Sequence, residues 1–238
     1  MSIIFSTHAL HPKAMDMLSN AGELRIASTP DGDTILREGQ GADIVIVRAP
    51  IPASYFSAAS PLRAAIRHGA GIDMVPFEAA NVPGVNAPTV AEHVFMVMLA
   101  LLRRFRLVDR DLRSLGWSAG RAQSDHGLDL GGRTLGIVGM GNIGKAIFRT
   151  AHHGFGLNVV AHTRSPENAP EGLPCLPLDE LLAVADIVIL CCPLTPETTG
   201  LMSRDRIARM KPGALLVNVS RGPVVDDEAL IEALQSGQ

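Results

Sequence analysis

Short uninterrupted aliphatic runs punctuate the chain at residues 3–6, 43–47, 64–66, 134–138, 158–161, 186–191 and 214–218, and helix-compatible stretches separate them. Continuous rather than alternating apolar runs mark strands covered on both faces, which predicts parallel sheets joined by crossover helices. In Ala87-Pro-Thr-Val-Ala-Glu-His93, Thr89 is placed to cap a helix with Glu92 three residues inside it. The spacing predicts one long helix from residue 90 to about 113, apolar in its first half and rich in Arg and Asp in its second. The glycine-rich, polar stretch 116–132 reads as a connection. Residues 1–88 are therefore expected to form one α/β domain, 89–118 the interdomain helix and connection, and 119–238 a second α/β domain, with a ligand cleft between the two.

Composition narrows the class. The chain has 238 residues, 47% of them apolar and 19% charged, which excludes a disordered segment. Its 21 basic and 24 acidic residues leave a net charge of −3, so neither nucleic acid nor an anionic membrane surface is an expected partner. The longest apolar run, 94–102, has nine residues, about half of what a membrane-spanning helix needs. The first ten residues lack the basic stretch, apolar core and cleavage site of a signal peptide, so a cytoplasmic location is expected. Cys175, Cys191 and Cys192 form no CxxC pair or metal-ligand spacing and read as reduced, buried thiols, with no metal expected.

The strongest motif is Gly139-x-Gly141-x-x-Gly144, preceded by the strand pattern 134–138 and followed by a helical segment from Lys145. A tight turn, close backbone approach to a diphosphate and close helix–strand packing each call for one of these glycines, and the helix start, with Asn142 and Ile143, supplies free N–H groups. Methyltransferases and structural turns carry the same glycines, but the flanking strand, helix and second strand favour a dinucleotide. At the end of the second strand an acid ordinarily grips the ribose 2′-hydroxyl. Here Thr163, Arg164 and Ser165 stand instead, so a 2′-phosphate meets no carboxylate and gains a cation, and NADP is favoured over NAD. The alternative is that Arg164 stacks on adenine, which suits either coenzyme.

Residues Met210-Lys-Pro-Gly-Ala-Leu-Leu-Val-Asn-Val-Ser-Arg-Gly-Pro-Val-Val-Asp226 closely resemble the signature of the D-isomer-specific 2-hydroxyacid dehydrogenases. Arg67-His-Gly-Ala-Gly-Ile-Asp73, Thr89-Val-Ala-Glu-His93, the glycine loop and Asp186-Ile-Val-Ile-Leu-Cys-Cys-Pro-Leu-Thr-Pro-Glu-Thr-Thr-Gly200 look like further landmarks in family order. The resemblance spans essentially the whole chain. It implies two Rossmann-like, doubly wound domains, the first flavodoxin-like and the second binding NAD(P) and lacking its C-terminal strands. It implies hydride exchange between a nicotinamide coenzyme and C2 of a small 2-oxo or 2-hydroxy acid, mildly glyoxylate or hydroxypyruvate, by a homodimer. By the same resemblance Arg221 is the catalytic arginine, able to hold a carboxylate and polarise a carbonyl. Gly69, Ala70 and Gly71 match the loop whose N–H groups receive the substrate carboxylate. Arg48 matches a position near the substrate mouth, with a surface salt bridge as its alternative. Cys192 and Pro193 match the turn bordering the cofactor, and Val219 and Ser220 the vicinity of the nicotinamide.

The family's proton-transferring histidine and its glutamate partner belong beyond the signature, and none of the eight histidines here matches that motif. These 238 residues alone are accordingly expected to bind coenzyme weakly and turn over little, and the run 214–218 to form an exposed aliphatic edge. A non-catalytic, dinucleotide-sensing protein related to transcriptional corepressors is the second hypothesis; retention of Arg221 and of the carboxylate loop speaks for the enzyme. A methyltransferase is a distant third, since it shares only the glycine loop.

Overall fold

A computed structural model of the chain describes residues 2–56, 61–69, 75, 80–81, 84 and 86–238. The chain divides into two compact units, Met1–Asn86 and Ala87–Gln238.

The first unit runs β1 (Ile3–Ser6), α1 (Pro12–Ala21), β2 (Glu23–Ile26), α2 (Gly32–Glu38), β3 (Ile44–Val47), β4 (Ala64–Arg67) and β5 (Ala80–Asn81). All pairings are parallel, in the order β2-β1-β3-β4-β5, the arrangement of flavodoxin-like sheets. Helix starts follow local chemistry: Pro12 opens α1, where its missing N–H has no helical partner to lose. Asp31 caps α2 by accepting the Thr34 N–H at 2.9 Å. Phe5, Val45 and Val47 pack with Ile35 and Tyr55 on one face, while Ile4 and Ile46 pack with Leu10 on the other.

The second unit begins with α3 (Ala87–Leu102), α4 (Phe105–Leu115) and α5 (Trp117–Ser124). It continues through β6 (Thr134–Val138), α6 (Asn142–Arg149), β7 (Asn158–His162), α7 (Leu178–Val184), β8 (Ile187–Leu190), α8 (Arg204–Arg209), β9 (Leu215–Asn218) and α9 (Asp227–Ser236). Its sheet is parallel throughout, ordered β7-β6-β8-β9. The strands are apolar at successive positions because both faces are covered: Leu135, Ile137, Ile187 and Ile189 join the cluster with α3 and α6, and Val138, Val188 and Leu190 join that with α7 and α8. Among the described residues β9 pairs with β8 alone. Each unit uses the same device to align its first strand. The Asp43 carboxylate, just before β3, accepts the Ile3 N–H at 2.7 Å, and Asp186, just before β8, accepts the Thr134 N–H at 2.8 Å.

Three sequence expectations are corrected here. The long helix from 90 to about 113 is two helices, broken at Arg104, whose φ of 52° is left-handed. The break coincides with a competing partner: the Leu102 carbonyl accepts the Leu128 N–H at 2.8 Å. Thr89 lies within the first turn of α3, which starts at Ala87 with Pro88 second, so it is not the cap. The supposed connection 116–132 contains α5, packed on α4 through the small Gly120, whose added Cβ would stand 2.9 Å from Leu112 Cβ.

Candidate functional site

The carboxyl ends of β6, β7 and β8 enclose a cavity of about 480 Å³, where parallel sheets place ligands. The chain leaves β6 through Gly139, whose φ of 104° suits glycine and whose added Cβ would stand 2.8 Å from Cys192 N. The Gly139 N–H donates to the His162 carbonyl at 2.8 Å, and its carbonyl accepts the Cys191 thiol at 3.0 Å. Gly144 packs the first turn of α6 against that same carbonyl, since a Cβ on it would lie 2.1 Å from Gly139 O. At Gly141 an added Cβ would meet nothing within 4 Å. Gly141 is also the N-cap of α6, with no side chain capping it, so the first-turn N–H groups have no intrahelical or side-chain partner. A bare glycine at an uncapped helix start, beside open space, fits the diphosphate of a dinucleotide.

Of the expected cofactor residues, Gly139, Gly141, Thr163, Arg164, Ser165, Cys192 and Pro193 line this cavity. Asn142, Ile143 and Gly144 form the first turn of α6 behind the glycine turn. Val219 and Ser220 follow β9 and do not line the cavity, although the Ser220 hydroxyl donates to the Cys192 carbonyl at 2.6 Å. Sequence reasoning did not single out Met140, His162, Asn168, Cys191, Glu197, Thr198 or Leu201, which also line it. The Thr-Pro-Glu-Thr-Thr stretch after β8 was the available signal: the Thr198 hydroxyl donates to the Pro193 carbonyl at 2.7 Å and folds the segment back.

The two adjacent thiols are held in the protonated form. Burial, with Cys192 beside it, pushes the Cys191 thiol up to about 12, and burial raises Cys192 as well. Among the described residues no cluster of three or more His, Cys, Asp or Glu could hold a metal ion. No helix among them is long and apolar enough to cross a membrane.

Arg221 follows β9 in extended conformation and is half-buried. Its turn is folded by Asn218, which accepts the Ser220 N–H and donates to the Arg221 carbonyl, both at 2.9 Å. The guanidinium donates to the Ser220 carbonyl at 3.0 Å. In the first unit, cations gather at the carboxyl ends of β3 and β4. Arg48 is exposed, and its N–H donates to the Thr7 hydroxyl at 2.8 Å. Arg67 is buried beneath Gly69, its guanidinium donating to the Val47 carbonyl at 3.1 Å and to the His68 carbonyl. Burial, then Arg48 and Arg67, lower the His68 pKa and keep the ring neutral at pH 7. Gly69 takes a φ of 143°, while Ala70 and Gly71 lie outside the described residues.

The family model for the D-isomer specific 2-hydroxyacid dehydrogenase, NAD binding domain, matches residues 95–238. The chain is 35% identical over 250 residues to a D-3-phosphoglycerate dehydrogenase of Mycobacterium bovis, covering 100% of this chain and 47% of that protein. It is 40% identical over 210 residues to a glyoxylate reductase of Thermococcus onnurineus, covering 82% of this chain and 62% of the relative. The chain thus spans about half the length of the first of these relatives. A crystal structure of the TT0316 protein from Thermus thermophilus superposes with a TM-score of 0.84 at 36% identity, covering 98% of this chain and 78% of that one.

Proposed function

Since the chain belongs to the D-isomer-specific 2-hydroxyacid dehydrogenases, we propose that the protein exchanges hydride between a nicotinamide coenzyme, NADP in preference to NAD, and C2 of a small 2-oxo or 2-hydroxy acid. The observation that carries this reading is the cavity at the ends of β6–β8, lined by bare Gly141 and by the exposed Arg164. The N–H groups of Asn142 and Ile143 are the proposed donors to the diphosphate, and Thr163, Arg164 and Ser165 the contacts of the adenosine ribose. When bound, the coenzyme supplies or accepts the hydride. Arg221 is the proposed catalytic residue: its fixed positive charge would stabilise the oxygen that gains negative charge as C2 is reduced. The N–H groups of Gly69, Ala70 and Gly71 would receive the substrate carboxylate, and Arg48 would add positive charge near it. Likeness to the Thermococcus glyoxylate reductase supports glyoxylate as the substrate, with hydroxypyruvate the alternative.

A homodimer is part of the proposal. Phe105, Leu115 and Trp117 on α4 and α5 are 61%, 71% and 73% exposed, apolar side chains that a second copy would cover.

The test is a titration of NADPH and NADH into the 238-residue chain, followed by coenzyme fluorescence. Binding is the readout because the chain spans only part of its relatives. Both coenzymes are expected to bind, NADPH more tightly. Failure of both coenzymes to bind overturns the reading, and tighter NADH overturns the NADP preference alone.

A further inference from the structure

The cavity rim carries an anion as well as a cation. Arg164, after β7, is exposed and makes no hydrogen bond or ion pair among the described residues. Glu197, on the segment that folds back after β8, lines the same cavity. The Thr195 hydroxyl, the residue's own N–H and then the Arg164 charge hold its carboxyl below the usual carboxylate range. It is therefore ionised at neutral pH, and it lines the same cavity as Arg164.

We propose that Glu197 is a coenzyme-specificity residue: it opposes a 2′-phosphate at the rim that Arg164 attracts, and so narrows the preference for NADP over NAD. The inference rests on the coenzyme reading above. A ribose with a free 2′-hydroxyl brings no charge to this rim, whereas a 2′-phosphate brings close to two negative charges. Arg164 and Glu197 then act in opposite directions on NADP and hardly at all on NAD. Each works through solvent, so each effect is modest and screened by salt.

The experiment measures NADPH and NADH dissociation constants for the unaltered chain, Glu197→Gln, Glu197→Lys and Arg164→Gln, at low and high ionic strength. Glu197→Gln is expected to tighten NADPH about threefold to fivefold at low salt and leave NADH within about twofold, the size of one exposed charge pair. Glu197→Lys should tighten NADPH further, and Arg164→Gln should weaken it. All three differences should shrink as salt rises. If the unaltered chain binds neither coenzyme, the coenzyme reading falls and takes this inference with it. If it binds NADPH but Glu197→Gln leaves the NADPH-to-NADH ratio unchanged or lowers it, only the role of Glu197 is overturned. Thermal unfolding midpoints matching the unaltered chain identify any loss of binding that comes from misfolding, and Glu197→Lys then decides in place of Glu197→Gln.

Discussion

Replacing Gly141 and Gly144 by alanine, one methyl group each, separates binding from folding within a single loop. At Gly141 the backbone is extended, with φ −73° and ψ −164°, so alanine fits without strain, and its Cβ would meet no atom within 4 Å. Stability should therefore stay within about 0.5 kcal/mol, or rise slightly because alanine reduces unfolded-chain entropy. The methyl group instead occupies the space assigned to the diphosphate. Losing one hydrogen bond to a charged oxygen costs about 1.5–3 kcal/mol, which at 1.4 kcal/mol per factor of ten predicts roughly 10- to 100-fold weaker coenzyme binding. At Gly144 the opposite holds. The new Cβ would stand 2.1 Å from Gly139 O, 0.9 Å inside the 3.0 Å that real Cβ atoms respect. The helix start and glycine turn must move apart, disturbing the Cys191–Gly139 hydrogen bond, and overpacking of this kind costs about 1–3 kcal/mol. Thermal unfolding and NADPH titration of the two variants, side by side, are the assay. Gly141→Ala binding NADPH as tightly as the unaltered chain, or unfolding as early as Gly144→Ala, would refute the reasoning.

Further expectations concern stability, chemistry and assembly. Asp186 resists a desolvation penalty because the Thr134 N–H and the Lys211 ammonium hold its carboxyl below the ordinary 3.8. The resulting stabilisation is complete above pH 3.8 and is lost as pH falls through the lower folded-state value, so Asp186→Asn should lower the unfolding midpoint at pH 7 and converge on the unaltered chain in acid. At pH 8, Cys191 and Cys192 should react with a disulfide reagent far more slowly than in the unfolded chain, since burial raises both thiols; fast labelling of either would contradict that environment. Trp117→Lys should shift sedimentation of any dimer toward monomer while leaving the unfolding midpoint nearly unchanged, because that ring is 73% exposed. A dimer that persists unaltered would remove α5 from the interface.

Apart from the two-residue β5, the strands of both units were legible because burial on two faces leaves an unbroken aliphatic record, as in Ile187–Leu190, where every residue is buried. β2 was not, because an edge strand reading Glu-Leu-Arg-Ile keeps polar residues and is only partly buried. The division of α3 from α4 was hidden for another reason. Arg103 and Arg104 are good helix formers, and the competing donor, Leu128 N–H, comes from a segment 26 residues away in the chain. α5 escaped notice because Gly120 weakens its helical pattern, while the contact that rewards that glycine is made only once α4 is in place. In the site, the glycine turn and the end of β7 could be read locally because each follows its own strand. Glu197 and Asn168 could not, since their approach to the cavity depends on how two loops fold back over the carboxyl ends of the strands.

The most direct measurement is a crystal structure of the chain grown with NADPH. The account predicts diphosphate oxygens within hydrogen-bonding reach of the Asn142 and Ile143 N–H groups, with the 2′-phosphate on the Arg164 side of the cavity. A coenzyme bound elsewhere, or a diphosphate that avoids the start of α6, would contradict it.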